Sequence, residues 1–168
     1  MQKRKEDRAR VRAQLEAWAN VPMVVKELQD EIEDYAAAVD HVLSPRATQY
    51  DKQPGGGGVG DPTAAQAAKY ERYMAWAREQ TGILRRRMEQ YQQYAAEVER
   101  CIALLPSLEC KVVLLRYREY GGVKSGYWGK IARRVHVSED YAKELEGKAV
   151  DRLSGRLPEL PAAKVEVN

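Results

Sequence analysis

The chain is poor in the residues that most soluble enzymes need. Its 168 residues hold two cysteines, Cys101 and Cys110, and two histidines, His41 and His136. These four have no metal-ligand spacing, and no framework of paired cysteines exists, so both thiols are expected reduced and buried. There is no strand–helix alternation, no nucleophile–histidine arrangement and no carboxylate pair in a plausible cleft. The sequence therefore reads as a non-enzyme without metal or cofactor. No apolar run approaches the length of a membrane span, and MQKRKEDRARVR lacks a signal-peptide core. The expected compartment is the cytoplasm, with no membrane partner.

Net charge is also small, at +3, but it is unevenly spread. Residues 1 to 20 carry six basic and three acidic groups, and residues 22 to 43 carry one basic and six acidic. Residues 106 to 157 carry eleven basic and seven acidic groups. A basic C-terminal segment beside an acidic helix suits a protein that presents one end to phosphate.

The apolar residues recur at helical spacing throughout, which predicts an all-α fold. A charged helix over 3–19 carries Val11, Leu15 and Trp18 on one face. Its cluster of Lys3, Arg4, Lys5, Arg8, Arg10 and Arg12 reads as a solvated face that could touch phosphate. Asn20 and Pro22 then open a second helix, running to about Leu43, with a heptad seam through Val25, Leu28, Ile32, Tyr35, Val39 and Val42. Ser44-Pro45 ends it. Residues 44–61, SPRATQYDKQPGGGGVGD, read as a flexible linker, because no Gly-Lys-Ser/Thr follows the glycines and no apolar strand precedes them.

Asp61-Pro62 starts a long helix to about Leu105. Its seam runs from Tyr70 through Met74, Ala77, Thr81, Leu84, Met88, Tyr91, Ala95, Val98 and Ile102 to Leu105. At ~1.5 Å per residue that seam is about 54 Å long. The hairpin partner offers about half of this, so the remainder predicts a homo-oligomer, a dimer first, with intramolecular cover as the alternative. Residues 1–105 are thus a coiled-coil-like helical hairpin that sets oligomeric state.

Residues 106–153 read as a helix-turn-helix unit with one supporting helix. The supporting helix, from about Ser107 to Tyr120, carries Leu108, Val112 and Leu115 and stops at Gly121-Gly122. The next helix carries Trp128, Ile131, Ala132 and Val135, with Trp128 expected in the core. Val137 closes the turn, Ser138 caps the last helix, and Ala142, Leu145, Ala149 and Leu153 form its apolar stripe. His136 stands where a turn glycine is common, a position histidine tolerates at positive φ. Residues 154–168 read as a disordered tail.

Inward placement of Ala142, Leu145 and Ala149 turns Asp140, Lys143, Glu144, Gly147 and Asp151 outward. Lys143 could then donate to guanine and Glu144 accept from cytosine in a major groove, with Gly147 allowing close approach. Lys130, Arg133, Arg134, Lys148 and Arg152 suit phosphates, and Tyr127, Ser138, Asp140 and Tyr141 complete the expected double-stranded DNA contact set.

The phrases "LPSLECKVVLLRY", "KIARRVHVS" and "AVDRL" resemble region 4 of bacterial sigma factors. With "SPRATQYDKQPGGGGVGDPTA" ahead of a long helix, the wider chain resembles phage transcriptional regulators of the ArpU and RinA type. That resemblance implies a sequence-specific, prophage-encoded activator of late genes, with RNA polymerase as a second partner. A phage DNA-packaging oligomer, of the small-terminase kind, is the alternative.

Overall fold

The computed structural model describes residues 2–43 and 62–161. Five helices carry the chain, with no strand among the described residues: α1 (Gln2–Leu43), α2 (Pro62–Ala103), α3 (Ser107–Val113), α4 (Tyr127–Val135) and α5 (Glu139–Leu153). The all-α expectation holds. The Gly-rich linker expected at 44–61 lies outside the described residues.

The expected break at Asn20-Pro22 does not occur. Helix α1 runs for 42 residues with Pro22 inside it. Proline removes one N–H from the ladder, a cost of roughly 3 kcal/mol in an isolated helix. Packing on either side offsets it: Trp18 and Val21 before Pro22, and Leu28 beyond it, are all buried. Helix α2 is also 42 residues long and starts at Pro62 as expected. The two helices form a long hairpin, so the length argument for a second copy lapses. None of the ten seam residues of α2 from Tyr70 to Ile102 is classed as exposed, and Leu105, beyond the helix end at Ala103, is half-buried.

The chain divides into two compact units, and not at residue 105. One comprises Met1–Val25 and Gln90–Asn168, the other Lys26–Glu89. In the first, Val11, Leu15 and Trp18 of α1 are buried, as are Tyr94, Val98 and Ile102 of α2. The Tyr94 hydroxyl donates to the Gln14 carbonyl at 2.8 Å, and burial pushes its pKa up to about 12. The start of the expected tail belongs here too. Pro158 O accepts from Gln14 Nε2 at 2.9 Å, and Arg156 O from Cys101 Sγ at 3.3 Å.

Helix α3 follows Pro106 and widens into a π-helical segment over Leu114–Glu119, closed by Tyr120 N–H to Leu115 O at 2.9 Å. A strict α period from Val112 and Val113 would bring Arg116 inward. Tyr117, four residues beyond Val113, is the fully buried residue of this turn, and Arg116 is half-buried. Leu108, expected inside, is 40% exposed, and Glu109 is buried in its place. The helix ends near Gly121-Gly122, but for a different reason than expected. Neither glycine has positive φ; a Cβ on Gly121 would collide with the Tyr117 carbonyl.

Gly126 at φ 75 caps the start of α4, and His136 at φ 57, ψ 47 ends it in the left-handed region. Ser138 Oγ accepts from Tyr141 N at 3.2 Å, the expected cap of α5. Val112, Ile131, Ala132, Val135, Ala142 and Leu145 form one core cluster, with Trp128 and Val137 packed against it.

Candidate functional site

Helix α5 is covered on two sides. Ala142, Leu145 and Ala149 are buried, as the apolar stripe predicts. Glu146, four residues beyond Ala142 and three before Ala149, lies on the same face and is also buried, although it is an acid. Its carboxylate accepts both arms of the Arg12 guanidinium at 2.9 and 2.8 Å, and the Tyr117 hydroxyl at 2.9 Å. Arg4, Arg8 and Arg12 stand four apart and share one face of α1. That face meets two acids of α5, Glu146 and Asp151. Arg8 holds Asp151 through two bonds of 2.6 Å, and Arg4 adds a third at 2.7 Å.

These contacts explain the charge states. The Arg8 hydrogen bonds hold Asp151 well below the usual carboxylate range, against the opposing effect of burial. The bond to Glu146 raises the Arg12 guanidinium. Burial, then the Glu146 carboxylate, raises the Tyr117 phenol. The N-terminal basic cluster is therefore paired with α5 at Arg4, Arg8 and Arg12, although the Arg4 side chain stays 73% exposed. Asp151 and Gly147, expected to face outward, instead lie toward α1, where a Cβ on Gly147 would meet Arg8 Nη2 at 4.0 Å.

A pH effect follows from Asp151. Because its folded pKa is depressed, its contribution is present above the ordinary value of 3.8 and is lost as pH falls below that. Melting temperatures of the native protein should fall more steeply than those of Asp151→Asn between about pH 5 and about pH 2. Parallel curves would remove Asp151 from the clamp.

What remains exposed on α5 is Glu139 and a stripe of Asp140, Tyr141, Lys143, Glu144, Lys148 and Arg152. Its cations already have acidic neighbours. Lys143 Nζ is 3.3 Å from Asp140 and Lys148 Nζ 2.8 Å from Glu144, a bond that raises the Lys148 pKa. Arg152 Nε stands 3.1 Å from Glu109 Oε2, close in charge but off the hydrogen-bond line. On α4, Arg134 pairs with Glu119. Lys130 and Arg133 are exposed and have no ion pair among the described residues, although Arg133 Nε donates to Gly129 O at 3.1 Å.

Tyr127 is not free to reach outward. It is half-buried, with Arg116 4.2 Å over its ring and Trp128 5.3 Å away. Trp128 packs on the core, as expected. The expected set thus divides by exposure: the α5 stripe, Ser138, Lys130, Arg133 and Arg134 are exposed, whereas Tyr127 is half-buried against its neighbours. Arg116 and the Arg12–Glu146–Tyr117 network were missed, because their partners are remote in sequence. Among the described residues no helix is long and apolar enough to cross a membrane, and no cluster could hold a metal ion.

Comparison with protein-family models, curated proteins and solved structures finds no match.

Proposed function

We propose that the protein is a sequence-specific DNA-binding regulator of phage transcription, an activator of late genes, with α4, its turn and α5 acting as a helix-turn-helix. The supporting observation is the way α5 is presented. The left-handed His136 and the Ser138 cap set its first turns so that Ala142 and Leu145 pack inward while Asp140, Tyr141, Lys143 and Glu144 stay exposed. In this reading those early residues meet base edges. Lys143 donates to guanine O6 or N7, leaving an exposed Asp140 pair that is worth about 1 kcal/mol at most. Glu144 accepts from a cytosine amino group.

Lys130 and Arg133 contact phosphates first, since they have no acid to leave. Arg134, Lys148 and Arg152 contribute less than their charge implies, because each must give up Glu119, Glu144 or Glu109. RNA polymerase is the second partner this reading carries.

Protection mapping on DNA of the surrounding gene cluster identifies the duplex. On it, Arg133→Ala should weaken cognate and scrambled DNA alike and make the salt slope shallower by about one unit. An unchanged slope would take Arg133 off the phosphates.

A further inference from the structure

We infer that the first turns of α1 are a second phosphate contact, with Lys5 and Arg4 meeting the DNA backbone beside the groove that α5 enters. The inference rests on the reading of α5 as a groove-facing helix.

Asp140, Glu144, Gly147 and Asp151 stand at steps of four, three and four, so they form one stripe along α5. The first half of that stripe is exposed, and the second half lies under α1. Gly147 is half-buried, its Cβ position 4.0 Å from Arg8 Nη2, and Asp151 accepts from both Arg8 and Arg4. A recognition helix sets its N-terminal residues against base edges. Asp151 lies seven residues beyond Glu144, a distance of about 10 Å along the axis. The major groove is about 12 Å wide, so Asp151 and what covers it reach the phosphates that border the groove.

A lone carboxylate at that place would be repelled. Helix α1 reverses the sign, because two guanidiniums meet one carboxylate, and Arg4 keeps 73% of its side chain exposed. Lys5 adds to the surplus. It stands three residues before Arg8 and seven before Arg12, hence on the side of α1 that faces α5. It is exposed and has no ion pair among the described residues. Of the two acids in these turns, Glu6 is turned about 100° from Lys5, and Asp7 lines a cleft with Arg10 and Glu159. Position selects the partner: a duplex laid along the exposed half of the α5 stripe must pass the basic turns that cover the other half. Lys3 is exposed as well, but a step of two residues turns it to the opposite side of α1 from Lys5.

The test is a salt titration of binding by the full chain, on the mapped duplex and on a scrambled one, joined to hydroxyl-radical footprinting. Lys5→Ala should make the salt slope shallower by about one unit on both duplexes. It should keep the native melting temperature and lose protection at one flank of the site only. Lys3→Ala should leave slope and footprint close to native. An unchanged slope in Lys5→Ala, a loss of protection spread over the whole site, or equal effects of Lys3→Ala and Lys5→Ala would overturn the inference. Those results leave the Arg133→Ala effect standing, and with it the reading of α4 and α5. A native protein that binds neither duplex overturns that reading and this inference together, so the two failures are distinguishable.

Discussion

Leu145→Asp is expected to unfold the α3–α5 assembly outright. Leu145 is 4% exposed and touches the cluster of Val112, Ile131, Ala132, Val135 and Ala142. Truncating a buried leucine alone costs about 2–5 kcal/mol. A carboxylate in its place has no partner in that apolar cluster, and burying an unpaired polar group costs several kcal/mol more, even if it takes up a proton. Domain stabilities are roughly 5–15 kcal/mol, so the sum removes most or all of the margin. Leu145→Met, of similar volume, should cost less than about 1.5 kcal/mol. Circular dichroism and thermal melting of both variants check this; native melting of Leu145→Asp would place α5 on a different inner face.

The second large effect is expected at Arg12. Its removal as Arg12→Ala leaves Glu146, with 6% of its side chain exposed, holding only the Tyr117 hydroxyl. Breaking a buried pair from one side costs about 3–5 kcal/mol. Arg12 is itself 46% exposed, so water can reach the vacated site, and about 2–3 kcal/mol is the better expectation. Removing both charges together, Arg12→Met with Glu146→Gln, should recover a good part of that loss, because no charge is then left buried alone. Urea unfolding of Arg12→Met, Glu146→Gln and the double variant forms the cycle. If the single-variant losses simply add, the two side chains are not coupled and the clamp does not hold α5.

Much of this architecture is legible in the sequence, and the gaps have physical causes. Pro62 at a helix start, Ser138 at a cap and the Ala142–Leu145–Ala149 stripe are local signals, and each stands where its chemistry places it. Pro22 is a local signal as well, but tertiary packing outweighs it, and α1 continues. Glu146 and Glu109 stand at helical spacing on inner faces, four residues from Ala142 and from Val113, but their charge marks them as surface residues. A buried acid looks like a surface acid until its partner is known, and Arg12 lies 134 residues away from Glu146. The same distance hides the role of Arg4 and Arg8. The π-helical segment over Leu114–Glu119 is not marked by any regular period, although Tyr117 stands four residues beyond Val113 and is buried with it. On the proposed site, the exposed stripe of α5 is readable from its apolar complement, and Asp140 and Glu144 stand at helical spacing from Lys143 and Lys148, whereas Glu109 beside Arg152 appears only in three dimensions.

The most direct measurement on the central claim is base discrimination by Lys143→Ala. Binding of native and variant protein is titrated on the mapped duplex and on each single-base-pair substitution across it, at fixed salt. If α5 reads the major groove, the variant loses roughly 1–3 kcal/mol on the cognate duplex and loses its preference at one base pair, while scrambled DNA is bound nearly as before. An equal loss on cognate and scrambled duplexes, or no loss on either, would contradict a reading role for this helix.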